Sequence, residues 1–382
     1  MSRQHATLSA SGAHRWIACT PSALLEAKFP DNYNESAAEG TFAHAWAEVQ
    51  LKKFFNLGNQ ERLNQLENEM RQDKWYSAGL AEYVDEYVSM VTSLADDNSV
   101  IKIEDRLDFG KWVPGGFGTG DAVVIADGKL TVCDLKYGKN VPVSAIDNPQ
   151  LRLYALGAYE AYNFLYDIEE VRVMICQPRN GGISEETLTV EELLKWGEQV
   201  KEIAEKAIKG EGETVAGEHC RFCKAAAQCN ALKEYNLAGI DPAKGCDDLM
   251  SPEELAEVFG RADGIISYLN SVKAFCLDRA LQGRPLPGYK LVEGRSNRKY
   301  ADEQKIAGEL LEAGYKDFYK PQQLIGITDM QKLLGKKKFE AMLSEYLIKP
   351  PGKPVLVPVT DARPEYNSAT DDFEFEIVEG EN

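Results

Sequence analysis

The sequence predicts an α/β protein in which a helical N-terminal part precedes a strand-rich centre and a mixed C-terminal region. The apolar pattern is helical from about Leu8 to Asn98, and strand-like runs dominate from Val100 to Pro178. Within the centre, the short apolar run VRVMICQP at 171–178 is typical of a buried strand. Alternation of these element types predicts the α/β class.

The helices follow in order along the chain. A first helix, capped by Ser9 or Ser11, is expected to continue to Leu25. Four more are expected at about 36–55, 78–95, 149–163 and 190–209. Beyond a cysteine-rich loop, the Ser-Pro-Glu-Glu sequence that begins at Ser251 is a strong signal for the start of a long helix.

Chain length and composition indicate more than one part. The 382 residues leave room for two or three domains, and the hydrophobic content of 44% is ordinary for a soluble protein. We expect a first domain at 1–235 and a helix-rich accessory region at 240–355, which ends at the proline-rich connector KPPGKPVLVP. The acidic tail at 356–382 is expected to be disordered and to offer a surface for protein partners.

Several classes of protein are disfavoured. No apolar run approaches the roughly 18 residues of a membrane span, and the N-terminus lacks a signal-peptide core, so we expect a cytoplasmic protein. The segment LLGKKKF lacks the glycine and the Ser/Thr of a phosphate-binding loop, which disfavours an ATP motor. A net charge of −18 disfavours an extended nucleic-acid surface, although it allows a local basic groove.

The stretch DAVVIADGKLTVCDLKYGK, at 121–139, predicts a hairpin with charged groups at its open end. Asp127-Gly128 between two β-rich runs favours a two-residue turn, which pairs Ala126 with Lys129. In that register Asp121 lies opposite Asp134, and Lys136 points to the same face. The sequence therefore predicts two carboxylates and one ammonium on a single patch.

Opposed carboxylates repel unless something neutralises them, and a divalent cation would do so. Oxygen ligands suit magnesium or manganese. The alternative is a surface strand pair with incidental charges. The apolar residues that flank the aspartates favour burial and therefore the metal site.

The cysteines indicate a second metal site. Cys220, Cys223 and Cys229 are closely spaced, and thiols in a cytosolic chain more often bind metal than form disulfides. A closed site needs a fourth ligand, for which His219 and Cys19 compete. Zinc and an iron–sulfur cluster both remain open, because thiolates suit either.

The ordered motifs resemble the RecB-type branch of the PD-(D/E)XK nuclease superfamily. The matching residues are His44, Asp121 in GTGD, Asp134 and Lys136 in DLK, and Gln150 and Tyr154 in QLRLY. Cys19 with the late cysteine triplet resembles the iron–sulfur staple of AddB-type and CRISPR-adaptation nucleases. The resemblance covers about residues 8–232. Residues 240–382 resemble the C-terminal part of a phage and prophage family without known mechanism.

The resemblance implies a restriction-endonuclease-like core, a mixed central sheet flanked by helices, with an Mg²⁺ or Mn²⁺ site. Asp121 and Asp134 would be its carboxylate ligands and His44 would add an imidazole. Lys136 would hold the attacking water and stabilise charge on the phosphate. Glu48, one helical turn after His44, either orients a ligand or is a solvated helix residue.

The resemblance also implies that Gln150 and Tyr154, one turn apart on a helix, line the site and position DNA. A [4Fe–4S] cluster would be held by Cys19, Cys220, Cys223 and Cys229, with zinc as the alternative.

The expected function is a metal-dependent DNA nuclease of the bacterial cytoplasm. We expect an exonuclease that acts on single-stranded or duplex ends in phage recombination, replication or DNA processing, and the acidic tail would contact phage replication or recombination proteins. The alternatives are a DNA-binding module that retains a nuclease-like fold without catalysis, and a protein-interaction scaffold.

Overall fold

The computed structural model describes residues 6–30, 35–139, 141–180, 182–237, 251–284, 286–292, 305, 308 and 324–348. The chain divides into two units, residues 1–335 and 336–382. The domain boundaries expected near residues 235, 240 and 355 stay predictions, and the tail at 356–382 lies outside the described residues. None of the described helices is both long and apolar enough to cross a bilayer.

The first unit is built on a five-stranded mixed sheet, which confirms the predicted α/β class. The strands lie in chain order, and only the β3–β4 pair is parallel. The strands are β1 (Val100–Asp108), β2 (Phe117–Ala126), β3 (Lys129–Leu135), β4 (Glu170–Gln177) and β5 (Gly182–Thr189).

Helices precede, interrupt and follow the strands. The N-terminal helices are α1 (Ala13–Ala18), α2 (Ser22–Glu26), α3 (Glu35–Phe54), α4 (Gln60–Met70) and α5 (Ala78–Ser93). Helix α6 (Pro149–Tyr162) connects β3 to β4, and α7 (Val190–Lys209), α8 (Asn230–Leu237), α9 (Pro252–Leu281) and α10 (Ile327–Leu334) follow the sheet. The second unit contains α11 (Lys336–Leu343) and a 3₁₀ turn at Ser344–Tyr346.

Of two predicted helix ends, the structure confirms the start of the long helix at Ser251 and contradicts the end of the first helix at Leu25. The long helix begins as predicted, because the Ser251 hydroxyl accepts a hydrogen bond from Glu254 N–H and the Glu254 carboxylate accepts one from Ser251 N–H. The prediction of a single helix that ends at Leu25 is wrong. The chain forms two helices, α1 and α2, because Cys19 leaves helical geometry and is followed by Pro21, which has no N–H.

The central hairpin forms in the predicted register. Asp127 and Gly128 both have positive φ, at 48° and 71°, as a type I′ turn requires. Ala126 pairs with Lys129, and the pairing continues to Ala122 with Cys133. Asp121 and Asp134 therefore lie one step beyond the last pair of the ladder.

The sheet separates two apolar cores. Val123 and Val132 belong to a core shared with α6 and α7, whereas Val124 and Cys133 belong to one shared with α3 and α5. Alternate side chains of each strand therefore reach opposite helical layers, as the two-residue repeat of a strand dictates.

That alternation breaks in β1 at Glu104. Ile103 lies in the core of α3 and α5, but Leu107 lies in the core of α6 and α7, although residues four apart in a regular strand share a face. Glu104 has a φ of 52°, and its pairing with Asp121 is interrupted between the neighbouring pairs. The strand thus changes faces at the position opposite Asp121.

Tyr154 of α6 packs directly on the backbone of β2 at Gly118. A Cβ atom built on Gly118 would lie 2.5 Å from Tyr154 Cε1, closer than any van der Waals contact allows. The first glycine of the GTGD motif is therefore needed for helix α6 to approach the strand.

Gly118→Ala should lower the free energy of unfolding by about 1–3 kcal/mol, the usual cost of overpacking a filled core. Gly40→Ala is the matched control, because nothing lies within 4 Å of the added methyl and alanine favours its helix. Urea unfolding should find Gly40→Ala equal to or more stable than wild type. Equal stability of Gly118→Ala and wild type would contradict the packing described.

Candidate metal centre

Asp121 lies between the two layers of helices at the open end of the hairpin. Its Oδ1 is 3.2 Å from His44 Nδ1 of helix α3, and its Oδ2 accepts a hydrogen bond of 2.8 Å from Leu135 N–H of β3. Both carboxylate oxygens are thus fixed by elements distant in sequence. The structure brings His44 and Asp121 together, as predicted.

Asp134 is almost fully buried, with 2% of its surface exposed, and contacts a second pair of predicted residues. Lys136 Nζ lies 2.7 Å from Asp134 Oδ2, and Gln150 Nε2 donates a hydrogen bond of 3.1 Å to Oδ1. Lys136 also donates to Gln150 Oε1 at 3.2 Å. Carboxylate, ammonium and amide therefore form a closed triangle.

Tyr154 supports this triangle from one turn further along α6. Its side chain is buried, and its ring covers Gly118. Burial raises the pKa of Tyr154 above its usual range, and the nearby carboxylate of Asp134 raises it further. Tyr154 therefore stays a neutral hydrogen-bonding group.

The two aspartates have opposite pKa shifts. Burial raises the pKa of Asp121, but His44, the Leu135 N–H and Lys136 outweigh burial, so that its pKa lies below the usual range. The pKa of Asp134 is raised, because burial and the neighbouring Asp121 outweigh the attraction of Lys136. Repulsion between two buried carboxylates thus falls mainly on Asp134.

The pKa of each of the two basic groups is raised, which favours its charged form. Burial lowers the pKa of His44, but the attraction of Asp121 and Asp134 outweighs it, and the pKa ends above its usual value. Burial likewise lowers the pKa of Lys136, and the two aspartates again reverse the direction. The raised pKa values of His44 and Lys136 therefore favour positive charge next to the two carboxylates.

Glu104 is the residue of the site that the sequence pattern did not reveal. His44, Glu104 and Asp121 each offer a ligand atom within 4.8 Å of the others, and among the described residues they form the group suited to a metal ion. The set predicted from the sequence was His44, Asp121 and Asp134, and it stays a prediction. Glu104 faces Asp121 in the strand register, which could have indicated it.

Glu48 lies elsewhere on helix α3. Its Oε1 is 2.6 Å from Lys52 Nζ, an ion pair four residues apart with both side chains about 30% exposed. This geometry favours the interpretation of Glu48 as a solvated helix residue.

The four predicted cysteines line one pocket between the start of the first unit and the segment after α7. Cys19 is buried, and Cys220, Cys223 and Cys229 are partly exposed. His219 also lines the pocket, and its Nε2 lies 2.8 Å from Val215 O. Both candidates for the fourth ligand are therefore present.

Four sulfur donors line the pocket, but among the described residues the cysteines do not form a group whose ligand atoms all lie within 4.8 Å of one another. Burial, together with the smaller effect of neighbouring thiols, raises the pKa of Cys220 above its usual value and that of Cys223 to about 11. A donor set of four sulfurs fits zinc or an iron–sulfur cluster.

Two hydrogen bonds connect the two sides of the pocket. Thr20, next to Cys19, donates to Glu211 O at 2.5 Å. The second is donated by Lys224 N–H, next to Cys223, to the Glu26 carboxylate at 3.0 Å. Arg15 Nε, on the same side as Glu26, also donates to that carboxylate at 3.0 Å. The pocket is thus held in place by protein contacts.

The remaining cysteines lie apart from this group. Cys133 and Cys176 are buried in the core of α3 and α5, and Cys276 is partly exposed on α9. Cys246 lies outside the described residues.

Comparison with known proteins identifies a family. Residues 5–364 match the family described as "Protein of unknown function (DUF2800)". The chain belongs to this family. The match includes every residue of the metal centre and of the cysteine pocket.

Two solved structures are similar to the chain. The crystal structure of SSO0001 is 13% identical, with a TM-score of 0.24, and the alignment covers 56% of this chain and 94% of that one. A protein from Eubacterium rectale, provisionally named an exonuclease, is 12% identical with a TM-score of 0.32, and the coverages are 65% and 92%. Similarities this distant say nothing about the activity of this chain.

Manganese affinity should rise as the pH increases above about 6.5, the usual pKa of histidine. The pKa of His44 in the folded protein lies above the usual histidine value. At a pH below this raised pKa the imidazole carries a proton, which must be released before the ring nitrogen can bind a metal. Calorimetry in buffers of different ionisation enthalpy measures the released proton.

His44→Ala should bind manganese more weakly and with a flatter pH dependence in this range. His14→Ala, which removes an exposed imidazole outside the site, is the control and should retain the wild-type slope. The same slope in His44→Ala and wild type would show that His44 takes no part in binding.

Proposed function

We propose that this protein is a metal-dependent DNA nuclease that hydrolyses phosphodiester bonds. The observation that carries the proposal is the pair of carboxylates of partly buried Asp121 and buried Asp134, with Lys136 and Gln150 on Asp134 and His44 on Asp121. These residues are the ones that resemble the motifs of the RecB-type nucleases. Their convergence from α3, β2, β3 and α6 supports the resemblance independently of the order of motifs in the sequence.

His44, Asp121 and Asp134 would hold Mg²⁺ or Mn²⁺, and Glu104 lies within reach as a further ligand. A bound ion would supply positive charge to the phosphoryl oxygens and make water more acidic. An imidazole among the ligands favours manganese over magnesium alone.

The other residues have roles that follow from their contacts. Lys136, with 26% of its side chain exposed, can donate to a water molecule or to a phosphoryl oxygen while Asp134 and Gln150 orient it. Gln150 lies one helical turn before Tyr154, whose buried ring packs on Gly118. A cation bound to Asp134 would replace Lys136 as the partner of that carboxylate. The Lys136 ammonium would then be free to contact the substrate.

More specifically, we propose that the protein is an exonuclease that acts on DNA ends in the bacterial cytoplasm, in phage recombination, replication or DNA processing. This specific proposal rests on the resemblance to RecB-type and phage proteins. The proposed contact of the acidic tail with phage replication or recombination proteins rests on composition.

We also propose a [4Fe–4S] cluster bound by Cys19, Cys220, Cys223 and Cys229, with zinc as the alternative. The shared pocket supports it. Its role would be structural, because it would join the N-terminal helices to the segment that follows α7, and the free energy of metal binding would add to the stability of the fold. These residues contribute none of the metal-centre contacts described above.

Cleavage should be tested on oligonucleotides labelled at either end, single-stranded and duplex, with manganese or magnesium. Asp121→Ala, Asp134→Ala and Lys136→Ala should each reduce cleavage by at least about 100-fold, the lower range for loss of a group that acts in proton transfer or charge stabilisation. Shortening from one labelled end would indicate an exonuclease, and internal cuts an endonuclease.

Glu69→Gln is the matched control, since it removes an exposed carboxylate paired with Arg62 and should cleave like wild type. Unfolding curves of all variants exclude loss of fold as the cause. Cleavage by Asp134→Ala at the wild-type rate would refute the catalytic assignment. DNA binding without cleavage by wild type would instead favour the non-catalytic module.

Protein purified without oxygen should be brown and contain iron and sulfide. Cys19→Ser should lose both and unfold at lower denaturant concentration, because the pocket then lacks one sulfur. Cys276→Ser removes a partly exposed thiol outside the pocket and should retain colour and stability.

His219→Ala separates the two candidates for the fourth ligand. It should retain iron if Cys19 is the ligand. Stoichiometric zinc without iron after reconstitution would refute the cluster, and loss of zinc in His219→Ala but not in Cys19→Ser would also refute the four-cysteine set.

A further inference from the structure

Ser22 is a buried hydroxyl that no other described residue satisfies. It begins helix α2, three residues after Cys19, and lines the pocket of the four cysteines. Only 4% of its surface is exposed, and its Oγ has no hydrogen-bond partner among the described residues. A buried hydroxyl without a partner is destabilising, so its presence requires an explanation.

The backbone fixes this hydroxyl beside Cys19. Ser22 N–H donates to Cys19 O at 2.9 Å, which closes a turn through Thr20 and Pro21. The Thr20 hydroxyl is already used, because it donates to Glu211 O. Ser22 is therefore the hydroxyl of this turn that remains available to the pocket.

The other polar groups of the pocket do not supply the missing partner. Arg15 Nε donates to Glu26, and His219 Nε2 lies against Val215 O. Much of the rest of the lining is apolar, including Leu25 and Leu232. The sulfurs of the four cysteines are further acceptors on this lining.

We propose that Ser22 Oγ–H donates a hydrogen bond to a metal-bound sulfur in the cysteine pocket and thereby tunes the bound group. The inference rests on the metal group proposed above for this pocket. A thiolate or sulfide bound to metal is an acceptor with negative charge, and a serine hydroxyl is a donor that suits it. Such a bond stabilises the ligand and favours the reduced, more negative form of a cluster.

The test compares the full-length wild type with Ser22→Ala, Ser22→Thr and Ser11→Ala, each reconstituted with iron and sulfide without oxygen. Ser22→Thr keeps the hydroxyl. Ser11→Ala removes an exposed hydroxyl of the same N-terminal segment. Potentiometric titration gives the reduction potential, and loss of the visible absorption to an iron chelator gives the rate of cluster release.

Ser22→Ala should shift the reduction equilibrium about tenfold toward the oxidised form, a potential about 59 mV lower for one electron. Its cluster should be lost about tenfold faster, at the lower end of the effect of groups that support metal ligands. Ser22→Thr should restore both values toward wild type, and Ser11→Ala should change neither.

Stability without metal provides an independent readout that a merely structural serine would not produce. In metal-free protein the hydroxyl has no partner, so Ser22→Ala should unfold at the same urea concentration as wild type or at a higher one. With the metal group bound, Ser22→Ala should be the less stable. Destabilisation of the metal-free form would show that Ser22 acts within the protein alone and would overturn the proposal.

The remaining outcomes separate Ser22 from the pocket itself. If wild type holds the cluster and Ser22→Ala has the same potential and release rate, the role of Ser22 is refuted while the cluster stands. If wild type binds zinc instead, the same variants are compared for zinc release to a chelator, and equal rates overturn the proposal. If wild type binds neither metal, the metal group and the role of Ser22 fall together, whatever the nuclease assay shows.

Discussion

Two carboxylates held together in a buried place are the constraint around which the first unit is organised. Asp121 and Asp134 extend from the same end of one hairpin, where each raises the cost of ionising the other. The compensation comes from His44 on one helical layer and from Lys136 with Gln150 on the other side. Both layers must therefore meet at this end of the sheet.

The strand irregularity at Glu104 belongs to the same requirement. A regular sheet sends alternate residues to opposite layers, and a carboxylate on one face could not contact both. The strands turn over where Glu104 and Asp121 face each other. Asp121 contacts His44 of α3, whereas Leu107 and Gly118, on the other side of this point, face the layer of α6. Unfavourable backbone geometry at a functional position is the expected cost of such an arrangement.

The sequence predicted what depends on local rules. The Asp127-Gly128 turn fixed the hairpin register, and the capping residues of α9 fixed where that helix begins, because both signals act within a few residues. Glu104 was missed because its role depends on a positive φ and on a change of face, which a two-residue pattern does not encode. The helix break at Pro21 was missed because the helical pattern on its two sides is continuous. Ser22 could not be singled out from the sequence, because its interest depends on its burial in the folded protein.

The cysteine pocket draws its sulfurs from both ends of the first 230 residues, and this has a consequence for how the protein is made. Cys19 leaves the ribosome more than 200 residues before Cys229. At about 5–20 residues per second, the first thiol waits roughly 10–40 s for the last. The pocket can therefore be completed only after the five strands have been synthesised, so a group that all four sulfurs bind can be loaded only late in synthesis or after it.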